Sequence, residues 1–290
     1  MKSEQPGMEN PRILRGVVLM ALAMLTLPFV DGGAKHLSAD MSPLFVSWAR
    51  YAAATLIVLP IAFYKFRFDF LPRTHLKAQF LRTIFLVTAM TCYFVAIARI
   101  PMATALSAYF IGPIITTFLA VFLLGEKLTV RKIASLLLGF AGVLLILRPG
   151  GEIEPGILFA MASGMFFAFY LIATKQASSN SDPLKTLTFQ CLVGSILLFP
   201  QAIWTWASPS PDQLLLLLGM GILSTFVHLL SIMAFQYADA SILAPLVYIE
   251  MVGTTAVGLI FFNEFPEPLV WLGSAIIISS GLLLVVGKRQ

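Results

Sequence analysis

The sequence predicts an all-α integral membrane protein: ten transmembrane helices arranged as two inverted five-helix repeats. Three observations carry this prediction. First, 59% of the 290 residues are hydrophobic and only 11% are charged, with a mean hydropathy of +0.91. A soluble domain is about one quarter charged, so this chain could not cover a water-facing surface, and it is far too apolar to be disordered. Second, the apolar residues fall into runs of about 20, the length a helix needs to cross the hydrocarbon core. Barrel strands would be shorter and would alternate in polarity. Third, the two halves of the chain repeat one another.

The runs lie at roughly 13–33, 44–64, 79–98, 102–124, 131–148, 154–174, 184–206, 213–236, 240–262 and 268–286. Span one follows the polar segment Met1–Arg12 and lacks a small-residue cleavage site, so it reads as retained rather than removed as a signal peptide. Spans one, four and nine contain Pro28, Gly112-Pro113 and Pro245. Proline frees a backbone carbonyl, so these helices either bend statically or serve as hinges. Spans five and ten contain the small pairs Ser135/Gly139 and Ala275/Ser279, which permit close helix packing.

The connections are short, and their charges set the orientation. Fifteen of the 19 Lys and Arg residues, Arg82 counted among them, fall before span one, between spans two and three, four and five, six and seven, or after span ten. The other side holds Lys35, Arg99 and Arg148, and Arg50 lies inside span two. This asymmetry places both termini in the cytoplasm. It also accounts for the pI near 9.3 without nucleic acid as a partner. Cys92 and Cys191 lie inside apolar runs and have neither disulfide nor metal spacing.

The repeat is read by shifting one half onto the other. A shift of 140 places Gly16 on Gly156, Lys35 on Lys175, Ser38 on Ser178, Pro43 on Pro183 and Pro60 on Pro200. A shift of 138 places Thr116-Thr117 on Thr254-Thr255 and Glu126 on Glu264. A shift of 139 places Ser135 on Ser274 and Gly142 on Gly281. The units are residues 13–149 and 153–287. Five spans is an odd number, so the second unit enters the membrane in the opposite sense. Inverted repeats are characteristic of secondary transporters.

Each half closes with an apolar run, a glutamate, a polar turn and a Gly-containing helix. The first copy reads IPMATALSAYFIGPIITTFLAVFLLGEKLTVRKIASLLLGFAG over Ile100–Gly142, and Ala238–Gly281 is its counterpart. With these segments the chain resembles the drug/metabolite transporter superfamily in its ten-helix EamA-type branch. The second copy departs from the pattern at Asn263-Glu264-Phe265-Pro266, where the first has Gly125-Glu126-Lys127-Leu128. The resemblance implies transport of small metabolites, often outward, and no enzymatic activity or cofactor. It also implies one central cavity between the halves, lined by spans three, four, eight and nine with one and six.

Ionisable groups inside a membrane are expensive and are functional candidates by default. Glu250 lies about ten residues into span nine, opposite Gly112 in the repeat. Its carboxyl is expected to bind a substrate amine or carry a coupling proton; a helix–helix hydrogen bond is the alternative. Arg50 can hold a carboxylate with its planar fork; snorkelling, or pairing with Asp31 or Asp40, is the plainer reading. His228 can relay protons or serve as a packing donor. Asp31 reads as the polar end of span one. Glu126 and Glu264 read as structural helix-ending residues, the first pairing with Lys127, Arg131 or Lys132. Among many aromatic residues, Tyr93, Tyr109 and Tyr248 are expected to line the cavity and stack a planar substrate.

There is no GxxxxGK[ST] phosphate loop, so any uphill transport must draw on a proton gradient or exchange. Within the family, the aromatic cavity and central carboxylate resemble those of amino-acid exporters, with aromatic amino acids as candidate substrates. The alternatives are import of a vitamin or nucleoside-like compound such as riboflavin, and efflux of cationic drugs. The expected setting is the inner membrane, as a monomer or a homodimer.

Overall fold

The computed structural model describes residues 11–73, 75–123, 129–147, 154–177, 182–237 and 243–286. These form eleven α helices and one 3-10 turn, with no strand among the described residues. The first half contains α1 (Pro11–Leu37), α2 (Pro43–Phe66), α3 (Leu76–Ile97), α4 (Met102–Tyr109), α5 (Ile111–Leu123) and α6 (Val130–Leu147). The second contains α7 (Pro155–Ala177), α8 (Pro183–Trp204), α9 (Pro211–Tyr237), the 3-10 turn Ala244–Tyr248, α10 (Ile249–Phe262) and α11 (Pro268–Val286). Five helices (α1, α2, α3, α8 and α9) are long and apolar enough to cross a membrane on their own. The remaining helices contribute apolar stretches of 10–17 residues.

Local chemistry explains why the repeat is visible in prolines. Pro43 and Pro183 both open a helix, where the missing N–H costs nothing. Each follows a capping side chain. Ser42 Oγ accepts from Leu44 N, and Asp182 Oδ1 accepts from Leu184 N and Lys185 N. These contacts satisfy donors that a helix start leaves unpaired.

The fourth and ninth spans are broken rather than continuous. Pro113 has no N–H to give to the carbonyl of Tyr109, and α4 ends there, with Phe110 in a turn before α5. The freed Tyr109 carbonyl sits against Gly164 of α7, where a Cβ would clash with it. In the second half, Pro245 falls within the 3-10 turn that precedes α10.

The packing follows the repeat. Helix α3 packs on α7, and α9 packs on α1; these are the same pairing in the two halves. Helix α2 packs on α8 and α6 on α11, each meeting its own counterpart, while α4 packs on α10, the counterpart of α5. The α6–α11 seam is held by Gly142 and Gly273. A Cβ on either would stand 2.8 Å from the other's carbonyl oxygen. Ser135 Oγ donates to Ser280 O at 2.8 Å, and Ser107 and Ser274 hydroxyls bond at 2.6 Å. Ser135 and Gly139 do lie at this seam. Ala275 and Ser279 are exposed, so α11 makes its close approach through Gly273, Ser274 and Ser280 instead.

Candidate functional site

The interior polar groups converge from both halves. Glu250 is the second residue of α10, directly after the 3-10 turn, and is 5% exposed. The kink expected at Pro245 places it just after the break in span nine. Proline 245 restarts the helix, so the carboxyl lies in a first turn, where the helix dipole favours negative charge.

Asp31 lies within electrostatic range of Glu250. The sequence reading made it the polar end of span one. Instead α1 continues to Leu37, and Asp31 is 3% exposed. The cause is Gly32-Gly33. A Cβ on Gly32 would meet Val257 at 2.7 Å, and one on Gly33 would meet Met220 at 3.0 Å. These glycines let α1 approach α10 and α9 closely, which draws Asp31 inside. Among the described residues, neither Asp31 nor Glu250 makes a side-chain hydrogen bond or ion pair.

Arg50 is 1% exposed, so it does not snorkel. Its guanidinium lies 4.7 Å from the Tyr51 ring centroid and 5.5 Å from that of Phe94. Its Nε and Nη1 have no hydrogen-bond partner among the described residues. Asp31 is within electrostatic range. Asp40 is not its partner: that carboxylate accepts from Gln213 Nε2 at 3.1 Å.

Buried rings connect these charges. Tyr93 and Tyr109 lie 5.6 Å apart, Tyr109 and Phe167 5.3 Å, and Phe167 and Tyr170 5.4 Å. Both Tyr93 and Tyr109 are within electrostatic range of Asp31 and Glu250. Tyr248 stacks edge-on against Phe110 at 5.2 Å. Positions 110 and 248 are repeat counterparts, so this contact marks the internal two-fold axis. The structure therefore brings Glu250, Tyr93, Tyr109 and Arg50 around one centre, with Tyr248 beside it. His228 Nε2 is buried without a partner, within range of Arg50 and Arg82.

Arg82 corrects a second expectation. The charge bias places it among the cytoplasmic flanking charges, yet it is 5% exposed inside α3. Its Nη1 donates to Gln79 Oε1 at 3.0 Å, and its Nη2 donates to Gln190 Oε1 at 3.1 Å. Gln79 and Arg82, three residues apart on one helix face, were the available signal, since isolated polar groups in an apolar run rarely face lipid.

Glu264 is a structural group, and its partners come from the first half. Its Oε1 lies 2.7 Å from Lys35 Nζ, and its Oε2 accepts from Met102 N at 3.1 Å. Lys35 Nζ also donates to the carbonyls of Ile97 and Ile100, each at 2.8 Å. One ion pair thus ties together the ends of α1, α3 and α10 and the start of α4. Glu126 lies outside the described residues.

The family model described as the EamA-like transporter family matches residues 14–148 and again 154–286. The chain belongs to the EamA-like transporter family. It is therefore a multi-pass membrane transporter of the drug/metabolite transporter superfamily. Its relatives within this superfamily carry different cargo. An S-adenosylmethionine uptake transporter of Rickettsia prowazekii is 27% identical, over 96% of this chain and 94% of that protein. A riboflavin transporter of Vibrio cholerae is 24% identical over 92% and 91%. A pseudopaline exporter of Pseudomonas aeruginosa is 24% identical over 94% and 97%. A crystal structure with 17% sequence identity aligns with a TM-score of 0.65 over 96% of this chain and 98% of that one, and shares its fold.

Proposed function

We propose that this EamA-family transporter moves a zwitterionic metabolite bearing a planar ring, an amino acid or amino-acid conjugate, by alternating access. The carrying observation is that two buried carboxyls, Asp31 and Glu250, neither with a hydrogen bond or close ion pair among the described residues, sit at one end of a run of buried rings. Two negative charges in a low-dielectric interior repel each other, and a substrate cation or a coupling proton between them relieves that repulsion. A ring then stacks on Tyr93 and Tyr109. The free N–H groups of Arg50 suit a carboxylate. The breaks before α5 and α10 are the points at which the two halves rock.

S-adenosylmethionine combines an amino acid, a sulfonium cation and a purine. The names of the Rickettsia relatives make it the first substrate to test, in the uptake direction. A free aromatic amino acid, exported, is the second reading, favoured by the Tyr93–Tyr109 pair beside Arg50. The setting is the inner membrane with both termini cytoplasmic.

The test is uptake by proteoliposomes carrying the purified protein, with labelled S-adenosylmethionine, phenylalanine and riboflavin in parallel. Accumulation of either of the first two, reduced at least tenfold by Glu250→Gln, is expected. Riboflavin transport alone, indifferent to Glu250→Gln, would overturn the reading.

A further inference from the structure

Arg82 is a buried cation held entirely by neutral groups. Besides Gln79 and Gln190, its Nη2 lies 3.4 Å from the Tyr170 hydroxyl, and the guanidinium stands 5.3 Å from the Tyr170 ring centroid. No carboxylate among the described residues is ion-paired or hydrogen-bonded to it. Two buried donors at this spot, Arg82 Nε and Gln190 Nε2, have no acceptor. Removing a guanidinium from water without a counter-charge is costly, and orphaned buried donors add to the cost. Arg50 has Asp31 within electrostatic range; among the described residues Arg82 has no carboxylate in an ion pair or hydrogen bond.

The place of Arg82 along the ring series is equally specific. Tyr170 is the last ring in the sequence Tyr93, Tyr109, Phe167, Tyr170. Arg82 and Tyr93 lie eleven residues apart on α3, about 16 Å of helical rise. The ring series therefore has the paired carboxyls at one end and an uncompensated guanidinium at the other.

We propose that Arg82, with Gln190 and the Tyr170 ring, forms a carboxylate-binding subsite for the transported molecule, distinct from the Asp31–Glu250 end. Arg82 Nε and Gln190 Nε2 are the donors left to take the anion's oxygens, and the ring supports a flat group attached to it. This rests on the transport reading above and gives the substrate's carboxylate a second site, apart from Arg50, at the far end of the ring series. A carboxylate entering from the Arg82 end neutralises the buried charge, while a bare amine gains nothing there.

The test uses the purified full chain and two probes of one shape, phenylacetate and phenethylamine, in thermal-shift titrations. Ligand binding to the folded state raises its apparent stability by mass action. Phenylacetate is expected to protect the wild type. Its affinity should fall at least tenfold in Arg82→Gln and Arg82→Lys, the second of which keeps the charge but loses the fork. Phenethylamine affinity should stay within twofold in both variants. Gln190→Met, which leaves Arg82 in place, should weaken phenylacetate severalfold. Arg99→Gln should leave it unchanged.

No protection by phenylacetate, protection that survives both Arg82 variants, or a parallel fall for phenethylamine would overturn the subsite. If phenylacetate behaves as expected while S-adenosylmethionine and phenylalanine are not transported by the wild type, the subsite stands and the substrate reading falls.

Discussion

Gly112 and Glu250 are counterparts in the repeat, and each is the second residue of the helix that follows a break. Their surroundings differ sharply. A Cβ on Gly112 would stand 2.8 Å from the carbonyl oxygen of Gly164, because α5 lies tightly against α7 there. At the matching level of the second half, Glu250 shares the interior with Asp31. One half uses the position for close backbone packing and the other for a carboxyl. An inverted repeat thus keeps its architecture symmetric and its chemistry one-sided.

The sharpest way to break this comparison is to make the halves alike. Gly112→Glu should abolish recovery of folded protein, read as loss of the monodisperse peak in gel filtration. Even Gly112→Ala forces the α5 and α7 backbones apart, at a cost of roughly 1–3 kcal/mol in thermal stability. Glu250→Gln should act oppositely. The substitution is isosteric and removes a repelling charge, so thermal stability should hold or rise while transport falls at least tenfold. A Glu250→Gln protein that transports normally at every pH removes the carboxyl from the mechanism.

The Lys35–Glu264 pair offers a milder test, away from the two-fold axis. Lys35→Met leaves the Ile97 and Ile100 carbonyls and a half-buried carboxylate without their donor. About 2 kcal/mol of stability should be lost, measured by thermal unfolding in detergent. The smallest effect belongs to the opposite face, where Lys185 Nζ meets Asp69 Oδ2 at 2.6 Å. The hydrogen bond from Lys185 holds the Asp69 carboxyl below its ordinary range, with Arg73 adding to the effect. A depressed carboxylate contributes stability above its unfolded pKa, near ~3.9, and loses it as pH falls through the lower folded value. Asp69→Asn should therefore lower the melting temperature only slightly at pH 7, and the gap should close below pH 4. Exposed pairs of this kind contribute little.

Much of this molecule was legible in its sequence because membranes impose simple rules. Span lengths, the charge bias and the repeat register follow from the bilayer's thickness and from the proline and glycine positions that each half needs. Pro43 and Pro183 were readable as counterparts because helix starts tolerate proline for the same reason in both halves. Glu250, Arg50, Tyr93 and Tyr109 could be singled out as polar or aromatic groups in apolar runs, since such groups are costly there. The breaks at Pro113 and Pro245 were foreseeable from the missing N–H alone.

Pairings between distant segments could not be read this way. Asp31 looked like a helix end, and only the fit of Gly32-Gly33 against α10 and α9 turned it inward. Arg82 looked like one more flanking cation, and only the convergence of α3, α7 and α8 buried it among neutral partners. Lys35 and Glu264 are 229 positions apart in the chain, and nothing in either local sequence points to the other. The one-dimensional pattern determined that the chain is built of apolar helices and that its two halves repeat, because those properties depend on hydropathy and local backbone chemistry. Which charges face each other was decided only by tertiary packing, because it depends on how closely particular helices approach.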